Sequence, residues 1–479
     1  RCCQTAAENK NVPSRACGQP TPATHPHLLK VGELAPGLEC KEFRERRLKL
    51  MELIVKTSQK AGVMSSNHLV IIPSGTKVFM SHNIPYPFRQ NTDFLYFSGF
   101  KEPDSIIVLF TDCNRNVPDF FSAIFIPKSN NHIERWEGPK TDTDSAIGLL
   151  GIDSAHYIDD LQTFLHCYTK RNNEFSLWYD YTNQIFSPLR EIVKDFLADH
   201  SKIRCESPRF LIQQLRLIKS SSEIDLMRNT CEAASLSMLE VMKFSCAPIL
   251  ESYLQAKMEY ECRMRGADYL AFPPVVAGGS RANSIHYLFN DQMVKCGEMV
   301  LMDAGCELHG YSSDITRTWP VSGKFSDEQR EIYEVVLSTQ EELLKLCTSF
   351  PTLDYLFEEM CRIMGSKLQH LGVIPRTAST SECAKMAYSF CPHHVSHYLG
   401  MDVHDTHLIS RNIKIEPGMV ITVEPGLYFR EDDSRITSKY RGLCVRIEDD
   451  VLITKNGPQV LTMACPKTVV AIEQALMNR

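Results

Sequence analysis

The stretch His393-His394-Val395-Ser396-His397-Tyr398-Leu399-Gly400-Met401-Asp402-Val403-His404-Asp405 gathers histidines at short spacing. It is followed by Met419-Val420-Ile421-Thr422-Val423-Glu424-Pro425-Gly426 and by Cys444-Val445-Arg446-Ile447-Glu448-Asp449-Asp450. Upstream, the apolar run Val300-Leu301-Met302 ends at Asp303, and eleven residues later Asp314 stands in Tyr311-Ser312-Ser313-Asp314-Ile315-Thr316-Arg317-Thr318. Strand alternation places Thr422 and Glu424 on one face, and Arg446 and Glu448 on another. A carboxylate that interrupts a buried strand is costly unless it is paired or binds metal.

If Asp303, Asp314, His397, Glu424 and Glu448 converge, their four carboxylates repel. Each pair costs about 4 kcal/mol at a separation of ~4 Å and an effective dielectric of ~20. Two divalent cations bring four positive charges against the four negative ones, with room for one bridging hydroxide. Oxygen ligands with one imidazole favour Mn²⁺, with Co²⁺, Fe²⁺ or Zn²⁺ as alternatives. Two such ions ~3.5–4 Å apart activate a bridging water and stabilise a tetrahedral oxyanion, which is amide hydrolysis without a covalent intermediate.

Working outward, Ser220-x-x-Glu223 and Ser326-x-x-Gln329 are capping boxes. They predict helices to about Lys243 and Cys347. A third helix is expected over Asp354–Leu371, closed by Gly372. Beyond it the chain reads mostly as strand and turn, with Met419–Val423, Cys444–Ile447 and Val451–Thr454 the clearest strands. In the first half a helix is expected from Lys41 to about Thr57. The runs Leu69–Ile72, Val78–Met80, Ile106–Phe110, Phe121–Ile126 and Leu177–Tyr179 then read as strands. Helix-like Ser145–Leu150 and Pro188–Ala198 fall between or after them, so an α/β domain is expected. A boundary near Lys202–Pro208 divides the chain into an irregular arm (1–40), the α/β domain (41–207) and a second domain (208–479).

The 479 residues carry 52 Lys and Arg against 58 Asp and Glu, a net charge of −6. That disfavours a general nucleic-acid binder, which needs a basic face. No apolar run reaches the ~18–20 residues of a membrane span. The 18 cysteines contain no C-x-x-C pair, and most of them read as reduced, buried thiols. No G-x-S-x-G nucleophile motif occurs. Gly278-Gly279 lacks the lysine of a phosphate loop and reads as a turn.

The order, spacing and flanks of the five acidic and histidine segments resemble the pita-bread metallopeptidases, the family of methionine aminopeptidase, prolidase and aminopeptidase P. Within it the chain is most similar to the aminopeptidase P branch, mitochondrial type. Further matches are Gly18-Gln19-Pro20-Thr21-Pro22, Arg89-Gln90-Asn91-Thr92-Asp93-Phe94-Leu95-Tyr96-Phe97-Ser98-Gly99-Phe100, and Pro273-Pro274-Val275-Val276-Ala277-Gly278-Gly279 with His286. The resemblance implies an α/β N-terminal domain before an α+β pita-bread catalytic domain. It implies Asp303 as bidentate ligand of one metal, Asp314 and Glu448 as bridging ligands, and His397 and Glu424 as ligands of the other. Glu424 would also shuttle protons. His393, His404 and His286 would line the substrate side, and Arg446 would sit beside the bridging glutamate. His394 stands where many members have glycine, which puts the role of His393 in question.

The activity implied is removal of the first residue from peptides with proline in second place, by two metal ions, in a homodimer of the mitochondrion, with the cytoplasm as the alternative compartment. An Xaa-Pro bond has no N–H and a fixed φ, so a dedicated pocket is required. A tertiary amide nitrogen must also be protonated as it leaves, a task that suits histidines. Alternatives are a prolidase restricted to Xaa-Pro dipeptides and a silent protein-binding module of the same fold. Arg446 pairing with Asp449 or Asp450 is the rival to its site role. His309, His407 and Asp405 read as structural.

Overall fold

The structure is a computed structural model that describes residues 16–62, 67–112, 117, 119–181, 187–200 and 203–477. The start of the expected arm, residues 1–15, and Lys202 at the expected boundary lie outside the described residues. The chain divides into two compact units, Arg1–Leu215 and Arg216–Arg479.

The first unit is built on a six-stranded sheet in the order Arg204–Glu206, Ser176–Trp178, His68–Pro73, Ile106–Phe110, Phe121–Ile126, Ser154–Tyr157. The pairings of His68–Pro73 with Ile106–Phe110 and of Ile106–Phe110 with Phe121–Ile126 are antiparallel. The other three are parallel. Ile106, Ile107, Val108 and Leu109 are all buried, so both faces of this strand are covered. That is why it reads as a continuous apolar run rather than an alternating one. Leu69, Ile71, Val108 and Phe125 pack against Leu161, Leu165 and Val193 of the helices Leu161–Arg171 and Ser187–Asp199.

The helix Cys40–Lys60 carries a buried arginine, Arg47. Its guanidinium donates to Phe97 O (2.9 Å) and Gly151 O (2.9 Å). These carbonyls close the helices Thr92–Ser98 and Thr143–Leu150. One side chain thus serves the negative ends of two helix dipoles.

Two findings differ from the sequence reading. Residues 33–39 of the arm form the hairpin Glu33–Ala35/Leu38–Glu39, too short to leave a periodic signal. The run Val78–Met80 overlaps the strand Phe79–Ser81, which lies outside the six-stranded sheet. Phe79–Ser81 pairs only with Ile84–Pro85, and every residue of that small hairpin is exposed. An apolar run of three residues carries no information about which side is buried.

The second unit separates helices from antiparallel strands, an α+β arrangement. The helices Ser221–Phe244 and Asp327–Leu346 both start at reciprocal capping boxes, Ser220 with Glu223 and Ser326 with Gln329. The helix Leu353–His370 is followed by Gly372 at φ +80°. Two further helices, Thr380–Phe390 and Val469–Met477, fall where strand and turn were expected. The first has a capping box of its own, Ser379 with Glu382, which the sequence displays.

Three pieces of antiparallel sheet matter for the site. Met299–Ala304 lies between Val275–Gly278 and Ile315–Pro320. Asp449–Thr454 lies between Val420–Val423 and Gly457–Val460. Gly426–Tyr428 pairs with Cys444–Arg446. No helix among the described residues is long and apolar enough to cross a membrane. The fifteen described cysteines are free thiols.

Candidate metal centre

The site is assembled where these strands end. Asp303 occupies the penultimate position of Met299–Ala304, opposite Thr316 in the neighbouring strand. Asp314 immediately precedes that neighbour, and its amide donates to Asp450 Oδ2 (3.0 Å). Residues 395–397 run alongside 422–424. Glu424 N donates to Val395 O (2.9 Å) and Thr422 N to His397 O (3.0 Å), while His397 N donates to Thr422 Oγ1 (3.1 Å). This pairing sets His397 Nε2 3.7 Å from Glu424 Oε1 and 3.4 Å from Asp314 Oδ2. Glu448 N donates to Thr316 O (3.1 Å), and Thr316 Oγ1 donates to Glu448 Oε2 (2.7 Å).

Donor atoms from Asp314, His397 and Glu448 lie within 4.8 Å of one another. Asp303 Oδ1 and Asp314 Oδ1 are buried without a hydrogen-bond partner. Buried carboxylate oxygens left in this state are expensive. Burial first, and then repulsion from neighbouring carboxylates, pushes the Asp314 and Glu448 carboxyls well above the usual range. Burial lifts Glu424 to about 7, against the opposing charges of His397 and Arg446. Divalent cations reverse this balance by favouring the ionised forms. The oxygen-rich set with one imidazole therefore fits hard or borderline divalent metal ions.

All nine residues singled out in the sequence line one cavity of about 770 Å³: His286, Asp303, Asp314, His393, His397, His404, Glu424, Arg446 and Glu448. Arg446 is buried and does not pair with Asp449 or Asp450. Its guanidinium donates to Asp303 Oδ2 (2.7 Å), Thr316 Oγ1 (3.1 Å) and Tyr428 Oη (2.7 Å). Asp449 is instead held by Arg317 (2.7 Å) and Lys467 (2.5 Å). His393 Nδ1 lies 3.6 Å from Glu424 Oε2. The His404 ring meets His397 edge-on at 4.5 Å between centroids. Burial, with His397, His286 and Arg411 adding to it, lowers the pKa of His404 to about 4, so its imidazole is neutral. His394 turns away from His393 and stacks on Phe357 at 5.0 Å, with Nε2 3.5 Å from Asp354.

Tyr428 was not singled out in the sequence. Its hydroxyl lies 2.8 Å from His393 Nε2 and accepts from Arg446, joining two substrate-side residues. The signal was slight: Tyr428 closes the short strand Gly426–Tyr428 that follows Glu424. His407 and Asp405, read as structural, also reach the cavity wall.

Residues 225–455 match metallopeptidase family M24, and residues 43–178 match the aminopeptidase P, N-terminal domain. Across 97% of this chain and 91% of the relative, the sequence is 46% identical to Xaa-Pro aminopeptidase 3 of Mus musculus. The chain belongs to metallopeptidase family M24. A second relative, the mitochondrial intermediate cleaving peptidase 55 of Arabidopsis thaliana, is 38% identical over 97% of this chain and 88% of its own length. Among solved structures, aminopeptidase P from E. coli in its low pH form superposes with a TM-score of 0.84 at 31% identity. It covers 92% of this chain and 99% of that one. The α/β N-terminal domain followed by a pita-bread domain is thereby the M24 architecture expected from the sequence.

Proposed function

We propose that the chain is a metal-dependent aminopeptidase that removes the first residue from peptides with proline in second position. The observation that carries this reading is the convergence of Asp303, Asp314, His397, Glu424 and Glu448 on one cavity whose other wall holds His286, His393 and His404. Relatives named Xaa-Pro aminopeptidase at 46% identity over nearly the whole chain support the specificity.

Asp303, Asp314, His397, Glu424 and Glu448 would hold two divalent ions, Mn²⁺ first among them. When bound, these ions acidify a water and polarise the scissile carbonyl. Glu424 takes the proton of the attacking water and delivers it to the departing proline nitrogen. His404 and His393 hold the carbonyl oxygen as it gains charge. Arg446 orients Asp303 by donating to its carboxylate, with its second arm on Tyr428. The substrate amine sits beside the carboxylates, which limits release to single N-terminal residues. The enzyme works as a homodimer in the mitochondrion. The mitochondrial peptidase of Arabidopsis among its relatives supports the compartment.

The test is hydrolysis of a fluorogenic Xaa-Pro-Yaa peptide by apo protein titrated with Mn²⁺, beside Glu424→Ala. Turnover that rises to about two metals per chain and vanishes in the variant is expected. Exclusive turnover of Xaa-Pro dipeptides would make it a prolidase. No turnover by folded, metal-loaded protein would leave a binding role. Equal turnover of peptides lacking proline would favour an intermediate-cleaving activity, as the name of the Arabidopsis relative suggests.

A further inference from the structure

Beneath the loop that carries His404 lies a buried ion cluster with no part in the chemistry above. Asp405, the residue after His404, is 3% exposed. Its carboxylate is paired with Arg216 through Oδ1, and Lys219 Nζ lies 3.5 Å from Oδ2. The side chains of Lys219 and Asp405 are each 1% exposed. Arg216 also reaches Asp402 Oδ2 at 2.8 Å, so one guanidinium holds both acidic residues that flank His404.

The loop is fixed from several directions. Asp405 N donates to Tyr398 O (2.9 Å), Leu399 N to Val420 O (2.9 Å), and Ser312 N to Gly400 O (2.9 Å). Lys219 N donates to Gly418 O (2.9 Å). A Cβ at Gly400 would collide with the Asp405 carboxylate and come within 3.1 Å of Lys219 Cε, so the loop is moulded to the cluster. Thr406, directly after Asp405, holds φ +46°, a left-handed conformation that costs energy in a β-branched residue.

Taking two cations and a carboxylate out of water contributes little net stability. What it does provide is a single geometry, because each charge loses its compensation if the loop moves. The strained turn and the filled space at Gly400 are consistent with a loop held in one conformation.

We propose that Arg216 and Lys219 act through Asp405 as positioning residues for His404, locking its imidazole against His397 at the cavity wall. This rests on the aminopeptidase reading. Displacing a substrate-facing group by about 1 Å can cost on the order of 100-fold in rate. Loss of the lock therefore lowers kcat while leaving KM and metal content near their original values.

The experiment is a double-mutant cycle on the metal-loaded full chain. Asp405→Asn, which keeps shape and removes charge, is measured in the native background and in His404→Ala. In the native background kcat is expected to fall by about 10- to 100-fold. In His404→Ala the same substitution is expected to change kcat less than twofold, because the residue it positions is gone. Equal penalties in both backgrounds would mean a general structural role and would overturn the inference. Lys219→Met, run through the same cycle, supplies the reading if Asp405→Asn does not fold. A wild-type chain with no turnover would instead sink the aminopeptidase reading. An active wild type with additive penalties would sink only this one.

Discussion

At the scale of single residues, the site is a chain of shared partners. Arg446 links Asp303 to Tyr428, and Tyr428 links Arg446 to His393. Removing the tyrosine hydroxyl breaks both contacts without opening a cavity. Tyr428→Phe is expected to lower kcat about tenfold, which corresponds to ~1.4 kcal/mol of transition-state stabilisation. Steady-state kinetics with metal analysis would check this, and unchanged kcat would remove Tyr428 from the site. The five candidate ligands were legible because carboxylates and a histidine among apolar strands are chemically conspicuous, whereas His286, His393, His404 and Arg446 were implied by the family resemblance. Tyr428 was less conspicuous, since a tyrosine in a strand is ordinary until its hydroxyl is seen between two charged groups. Asp405 and His407 were hidden for a related reason. Sequence shows that an acidic residue follows His404, but not which cations lie beneath it.

At the scale of elements, helices with reciprocal caps were the most legible. Ser220 with Glu223 and Ser326 with Gln329 encode their boundaries in four residues each. The helix Thr380–Phe390 carries the same code and was overlooked amid polar residues. What four residues cannot encode is a long-range tie such as Arg47, whose partners lie 50 and 104 positions away. Arg47→Met is expected to destabilise the first unit by about 3 kcal/mol, because carbonyls at two helix ends lose a charged donor. Urea unfolding would measure it, and a loss under about 0.5 kcal/mol would count against the bridging role.

His68, on the central strand of that unit, gives a pH signature. Burial lowers its pKa from 6.5 to about 4, and Trp178 Nε1 donates to its Nδ1 at 3.4 Å. The folded state therefore prefers the neutral ring. The stabilisation is complete above pH 6.5 and is lost as pH falls from 6.5 toward about 4, where the unfolded chain binds the extra proton. A His68→Gln variant is expected to show a flatter stability profile across this window. Denaturation series at stepped pH would reveal an identical slope if the assignment is wrong.

At the scale of the whole molecule, the five proposed metal ligands all belong to the second unit. Chelation is expected to abolish activity and lower the thermal midpoint of that unit, while the first unit is unaffected. Bound ion at 100 times its Kd is worth about 2.7 kcal/mol. Hydrogen exchange resolved by peptide would check it. Loss of protection spread evenly over residues 68–178 as well would contradict the assignment.

The order of the ligands along the chain has a bearing on biosynthesis. The first unit is fully translated before Asp303 is made, and domains generally fold in order of emergence. Glu448 arrives only with one of the last strands. A nascent chain stalled before that point holds carboxylates without the partner that completes their set. Capture by the full ligand set is therefore a late step in the synthesis of the second unit, and it waits on the supply of free ion in whichever compartment the chain reaches.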